Sequence, residues 1–213
     1  MKLQRAQGNS LNKQARGNTW LIFCCKKEGE MPQVAVLLAD GFEEVEAMAI
    51  IDVLRRAGIT VVIAGLHPGP IESARHVKVL PDALIDTIRA DNFDMLVLPG
   101  GQPGADNLNG DKRVKDLIME FYDKGKLTGA ICAAPYVLAN AGILEGKHAT
   151  AYPTFMDRLG NALYKDENVV IDGQVLTSKG PGTALHFGIA IVERLAGRER
   201  AEAVKEAMLI PAS

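Results

Sequence analysis

The sequence predicts a single α/β domain whose mostly parallel sheet is covered on both faces. Three observations carry that expectation. Short continuous apolar runs alternate along the chain with segments of helical periodicity. The runs, such as Val34–Ala39, are apolar at successive residues, as in strands buried on both faces. Two of them end in paired glycines or in a cysteine, at strand tips of the kind where open α/β sheets bind ligands.

Taken in order, Val34–Ala39 is the first strand and Asp40-Gly41 ends it. Over Phe42–Ala57, Val45, Met48, Ala49, Val53 and Leu54 draw a helical stripe, with Gly58 as its terminating glycine. Ile59–Ala64 is the second strand, His67–Pro70 a turn-rich loop, and Val77–Pro81 a short edge strand or hairpin element. Met95–Leu98 is a third core strand, Val114–Tyr122 a helix, Leu127–Ile131 a strand and Pro135–Ala141 a helix. Ala149–Tyr152 is short and strand-like. Val169–Ile171 and Gln174–Thr177 flank Asp172-Gly173, a pair suited to a type I′ hairpin turn. Ala184–Leu195 and Glu199–Met208 close the chain as helices.

At 213 residues, 47% hydrophobic and 23% charged, the chain supports one substantial core. Its net charge of −2 leaves no footprint for nucleic acid. No apolar run approaches the roughly 20 residues of a membrane span. Cys24, Cys25 and Cys132 are an odd set with two adjacent members, which suits a reducing cytoplasm better than a disulfide framework. Residues 1–30 carry a net charge of +4, and Met1–Gly17 is polar and basic without apolar periodicity. They are expected to be disordered, as a spurious translated leader ahead of a natural start at Met31. A genuine transit peptide is the alternative, and it would mean organellar import.

The chemistry concentrates at three strand tips. In Leu127–Tyr136 an apolar run enters Cys132 among small residues, and a helix follows. That is a sharp strand-to-helix turn whose free amides favour an anion, so a thiol there is expected to ionise readily and act as a nucleophile. A small buried hydrophobe is the competing reading of Cys132. Leu96–Gly101 ends in Gly100 and Gly101, whose backbone can approach a ligand closely and form an oxyanion pocket. After the first strand, Glu43 and Glu44 suit a helix start. Glu46, in an apolar neighbourhood, can stay protonated and donate a hydrogen bond to sulfur. Gly180-Pro-Gly-Thr183 reads as a loop introducing a helix or as a substrate contact. None of the four histidines, His67, His76, His148 and His186, is placed by sequence as a base for Cys132.

Four motifs in order, Leu37–Glu46, Leu98–Gly101, Ala130–Pro135 and Leu176–Thr183, resemble the ThiJ/PfpI superfamily, in the branch of the Parkinson disease protein and YajL. The likeness runs from about Val34 to Leu209 and makes residues 31–213 the ThiJ/PfpI-like domain. It implies a flavodoxin-like sandwich related to class I glutamine amidotransferases. It places Cys132 on the family's oxidisable nucleophile and Glu46 on the glutamate that hydrogen-bonds it. Gly100, Gly101 and Ala133 fall on the oxyanion amides. Asp52, Arg56, Arg75, Tyr152 and Pro181 resemble residues around the pocket or the family's dimer interface. Tyr152 stands where some members carry histidine, and a tyrosine of pKa near 10 is a poor base at neutral pH. Ser73 and Leu80 replace the two other cysteines tied to oxidation.

The resemblance implies a homodimer working without cofactor or metal. As an enzyme it would act, glyoxalase- or deglycase-like, on methylglyoxal or glycated thiols and amines. As a redox sensor or chaperone, Cys132 would be oxidised to sulfinate. A protease or glutaminase would need a histidine partner that the sequence does not supply.

Overall fold

The structure is a computed structural model and describes residues 31–211; the expectations for residues 1–30, with Cys24 and Cys25, lie outside the described residues. The continuous apolar runs become the centre of a seven-stranded sheet. Its strands are β1 (Gln33–Leu38), β2 (Thr60–Gly65), β5 (Ala83–Leu84), β6 (Met95–Leu98), β7 (Leu127–Ile131), β10 (Val169–Asp172) and β11 (Val175–Ser178). The order is β10-β11-β7-β6-β1-β2-β5, parallel except for β10 against β11. Setting aside the two-residue β5, the order β2-β1-β6-β7-β11 is the doubly wound 2-1-3-4-5 of flavodoxin.

Side-chain alternation along β1 divides the core between the two faces. Val34, Val36 and Leu38 pack with α1 (Glu44–Arg56), α5 (Ala184–Ala196) and α6 (Arg198–Ala207), through Ile50, Val53, Phe187, Ile191 and Val204. Ala35 and Leu37 face the opposite layer of α2 (Gly104–Gly110), α3 (Lys112–Asp123) and α4 (Pro135–Ala141), through Leu108, Ile118, Phe121 and Leu138. Each fully buried Val, Leu, Ile or Phe contributes about 1.5–3 kcal/mol. That is why both faces of β1 select apolar side chains.

The sheet differs from the sequence expectations at its margins. The first helix starts at Glu44, because Phe42 is extended, bridges to Ser73 and is buried. Only β4 (Lys78–Val79) forms within 77–81, pairing antiparallel with β3 (Ile71–Glu72). Only β8 (His148–Ala149) forms ahead of Tyr152, beside β9 (Leu163–Tyr164), because the Tyr152 amide turns away to the Cys132 carbonyl. The hairpin turn sits one residue later than expected, at Gly173-Gln174. Gly173 has φ 63° but Gln174 has no positive φ, so the turn lacks the two left-handed residues of type I′. Helix α2 was not expected at all: Gly104 and Gly110 bound it and Asp106, Asn107 and Asn109 fill it, all weak helix formers.

The β1 and β6 connections leave the sheet in opposite directions, so a crevice opens between their carboxyl ends. The tip of β7 lies beside it.

Candidate active site

At the end of β1 the chain turns through Gly41 and reaches Glu43, whose amide donates to the Gly100 carbonyl at 2.9 Å. Glu43 caps α1, its Oε2 accepting from the Glu46 amide at 2.7 Å. Glu46, in the first turn, is 0% exposed. Its Oε2 accepts from the Gly100 amide at 2.8 Å. Its Oε1 is buried without an ordinary hydrogen bond, and Cys132 is the side chain that acts most strongly on the carboxyl.

Both glycines at the β6 tip are sterically required. A Cβ on Gly100 would lie 2.7 Å from the Cys132 Cβ and 2.8 Å from Glu46 Oε2. Gly101 has φ 93°, and a Cβ there would lie 2.4 Å from the Glu43 amide.

At the β7 tip Cys132 adopts φ 64°, a left-handed backbone that costs a non-glycine residue about 1–3 kcal/mol. Two hydrogen bonds impose it. The Cys132 amide donates to the Ser178 carbonyl and its carbonyl accepts from the Tyr152 amide, both at 2.9 Å. The half-buried sulfur then meets the backbone amides of Ala133 and Gly101.

Of the three amides expected around the sulfur, that of Gly100 is bound to Glu46. The expectation of a readily ionised thiol also needs correction. Burial, most of all, pushes the Cys132 thiol up, and the charge of Glu46 adds to it. The Ala133 and Gly101 amides pull in the opposite direction. Burial likewise lifts Glu46, to about 7, against the hydrogen bonds from Cys132 and Gly100. A second negative charge is what this pair resists.

The remaining expected residues are spread more widely. Tyr152 is 44% exposed and reaches Cys132 through its backbone. A Cβ on Gly180 would lie 3.2 Å from the Tyr152 ring and 4.0 Å from the Cys132 sulfur, so the 180–183 loop borders the thiol while also starting α5. Pro181 is the exposed first residue of that loop's single turn. Arg75 pairs with Glu43 at 3.7 Å, one residue group away from Glu46. Asp52 and Arg56 pair with each other at 2.7 Å on the exposed side of α1.

Every histidine is engaged elsewhere: His67 with Asp40, His76 with Glu72, His148 with Asp172 and His186 with the Pro211 carbonyl. Among the described residues no group of three His, Cys, Asp or Glu side chains is gathered to hold a metal ion. Sequence reasoning missed Ser178, whose carbonyl braces the elbow and lies 46 residues from the cysteine, with no local signal.

Parallel strands, a cysteine held left-handed at a strand-to-helix elbow, and a buried glutamate beside it define an α/β protein of the nucleophile-elbow class. The sequence model of the DJ-1/PfpI family matches residues 32–194. The chain belongs to that family. It is 43% identical over 178 residues to Protein dj-1beta of Drosophila melanogaster, covering 82% of this chain and 95% of that protein. It is 39% identical over 160 residues to the glutathione-independent glyoxalase DJR-1.2 of Caenorhabditis elegans, covering 74% and 85%. The crystal structure of Drosophila melanogaster DJ-1beta superposes with a TM-score of 0.83 at 41% identity, covering 86% of this chain and all of that one.

The lifted Glu46 has a thermodynamic signature. Unfolded, it loses its proton near the ordinary 4.5; folded, near 7. Between those values the folded state holds a proton that the unfolded state lacks, so stability falls as pH rises. Relative to Glu46→Gln, the wild type is expected to lose roughly 3 kcal/mol across that interval and then level off. Urea denaturation of both proteins at successive pH values measures the difference, and a flat difference contradicts the assignment.

Proposed function

We propose that the protein is a cysteine-dependent stress-protection enzyme that acts, glyoxalase- or deglycase-like, on methylglyoxal or on glycated thiols and amines. The observation that carries this reading is the pairing of a thiol faced by two amides with a buried carboxyl poised near neutrality. The printed name of the C. elegans relative supports the same chemistry.

In the reaction as we propose it, the Cys132 sulfur adds to the aldehyde carbon of methylglyoxal. The thiol proton passes to the Glu46 carboxylate, so the pocket never carries two negative charges. The Gly101 and Ala133 amides favour the negative charge on sulfur and on the developing oxyanion. Glu46 returns its proton to that oxygen, giving a hemithioacetal. The carboxylate then takes the hydrogen from the former aldehyde carbon, giving an enediolate, and delivers it to the neighbouring carbon while the hydroxyl proton passes to that carbon's oxygen, leaving a lactoyl thioester. Water cleaves the thioester, releasing lactate and the thiol. The sum is one methylglyoxal and one water converted to one lactate, without redox partner, metal or cofactor. A poised carboxyl suits both proton transfers, because it accepts and donates at working pH. A cysteine–histidine protease or a glutaminase needs a histidine at the sulfur, and all four are bound elsewhere.

A second reading rests on the same amides. We infer that peroxide oxidises Cys132 to sulfinate, two peroxides giving two waters, and that the Gly101 and Ala133 amides hold the product. This would serve a sensor or chaperone. We also propose a homodimer in the cytoplasm; Val45 and Leu185 expose apolar surface suited to a partner copy, and light scattering at micromolar concentration should return twice the chain mass. No helix among the described residues is long and apolar enough to cross a membrane.

Lactate formation from methylglyoxal tests the enzyme directly. Cys132→Ser and Glu46→Ala should each lower the rate on the order of 100-fold or more, and equal rates in all three proteins would remove the proposal. For the second reading, mass spectrometry after mild peroxide should find two added oxygens at Cys132; their absence discards it.

A further inference from the structure

The two amides that face the sulfur come from loops 32 residues apart, after β6 and after β7. Adjacent strands fix their separation only to about 4.8 Å. A site of this kind needs its groups held within about 0.5 Å. Something beyond the sheet must therefore set how the two loops meet.

One residue grips both, through its side chain at one end and its backbone at the other. The Gly101 carbonyl accepts from the Ala105 amide at 2.9 Å. The Ala105 carbonyl in turn accepts from the Tyr136 hydroxyl at 3.2 Å. At its other end, the Tyr136 amide donates to the Ala133 carbonyl at 3.3 Å. Tyr136 thus connects the Gly101 carbonyl to the Ala133 carbonyl, each one peptide beyond the amide that faces the sulfur.

The tyrosine is itself clamped. It is 1% exposed, and its single hydroxyl proton is aimed chiefly at Asp106 Oδ1, the nearer acceptor, with the Ala105 carbonyl the lesser partner of the same shared bond; Asp106 Oδ1 receives the Gln102 side-chain amide at 3.4 Å as well. The Arg158 guanidinium lies 3.7 Å over the ring and 3.7 Å from Asp106 Oδ1. Phe155 stacks on the ring at 5.8 Å. Phe155 and Arg158 belong to the six-residue 3-10 segment Pro153–Arg158, which directly follows Tyr152, the residue whose amide holds the Cys132 carbonyl. All three connections around the sulfur therefore converge on this one ring. Burial and the neighbouring Asp106 push the phenol up to about 12, so it remains a donor at every working pH.

We propose that Tyr136 is a positioning residue for the Cys132 pocket, its hydroxyl and backbone together holding the Gly101 and Ala133 amides where both reach the sulfur. Asp106 and Arg158 keep the ring in place. A core aromatic that merely fills space would stabilise the fold without affecting the thiol, and that difference makes the two roles separable. The inference rests on the reading of Cys132 as a reactive thiol.

Tyr136→Phe removes the hydroxyl and keeps the ring with its Arg158 and Phe155 stacking. The measurement is iodoacetamide alkylation of the full chain across pH, with Cys132 followed by peptide mass spectrometry. Loss of one well-aimed amide should move the midpoint up by about one pH unit, making alkylation roughly tenfold slower below it at an unchanged plateau. Asp106→Ala, at an exposed position, should move it the same way by about threefold, and it serves if Tyr136→Phe does not fold. Ile118→Val thins the same core layer outside this network and should lower the Tm with the midpoint unmoved. Midpoints that stay in place in Tyr136→Phe and Asp106→Ala, whatever happens to the Tm, overturn the positioning role while leaving the reactive thiol intact. A wild-type Cys132 that iodoacetamide fails to alkylate at any pH overturns both.

Discussion

The bond from the Gly100 amide to the buried Glu46 carboxyl is the interaction on which the site depends. It ties the start of α1 to the tip of β6, two connections that leave the sheet in opposite directions. A carboxyl with no exposure is tolerable only when its oxygens find partners or it keeps its proton. Glu46 uses both routes: one oxygen is satisfied by the peptide, and the other stands beside sulfur under conditions that favour the acid. Remove the glycine's amide from that position and the carboxyl loses its fixed orientation towards Cys132.

The electrostatics follow from the same packing. Cys132 and Glu46 are each pushed towards their neutral forms by desolvation; the charge of Glu46 opposes ionisation of the thiol, while the hydrogen bond from Cys132 favours the carboxylate. Two main-chain amides offset part of this on the sulfur. The outcome is a pair suited to exchanging a single proton, in which a partner histidine has no place to fill. Tyr152 is attached to the elbow through its backbone, its amide donating to the Cys132 carbonyl.

The sequence carried the fold's centre and lost its margins, for physical reasons. β1, β2, β6 and β7 were legible because strands buried on both faces are apolar at successive residues. Strands β5 and β9 were not, because two residues show no period. Helix α2 was hidden by its glycines and asparagines; it persists because Ala105 and Leu108 are buried in the core. At the site, Cys132 and the glycine pair stood out because tight turns demand small neighbours. The ionisation of the thiol was misjudged, because a local reading registers the helix amides but not the burial produced when three distant loops close over the sulfur. Tyr136 ends the Leu127–Tyr136 stretch, but nothing local marks its role, since its partners Ala105, Asp106 and Arg158 are 22 or more residues away.

The left-handed backbone at Cys132 sets two selective pressures against each other at a single position. Glycine would relax the turn and fit the space, so heat tolerance alone favours losing the thiol. A cysteine there holds a conformation that costs the fold, and the thermal margin that offsets it has to come from elsewhere in the sheet and its helices.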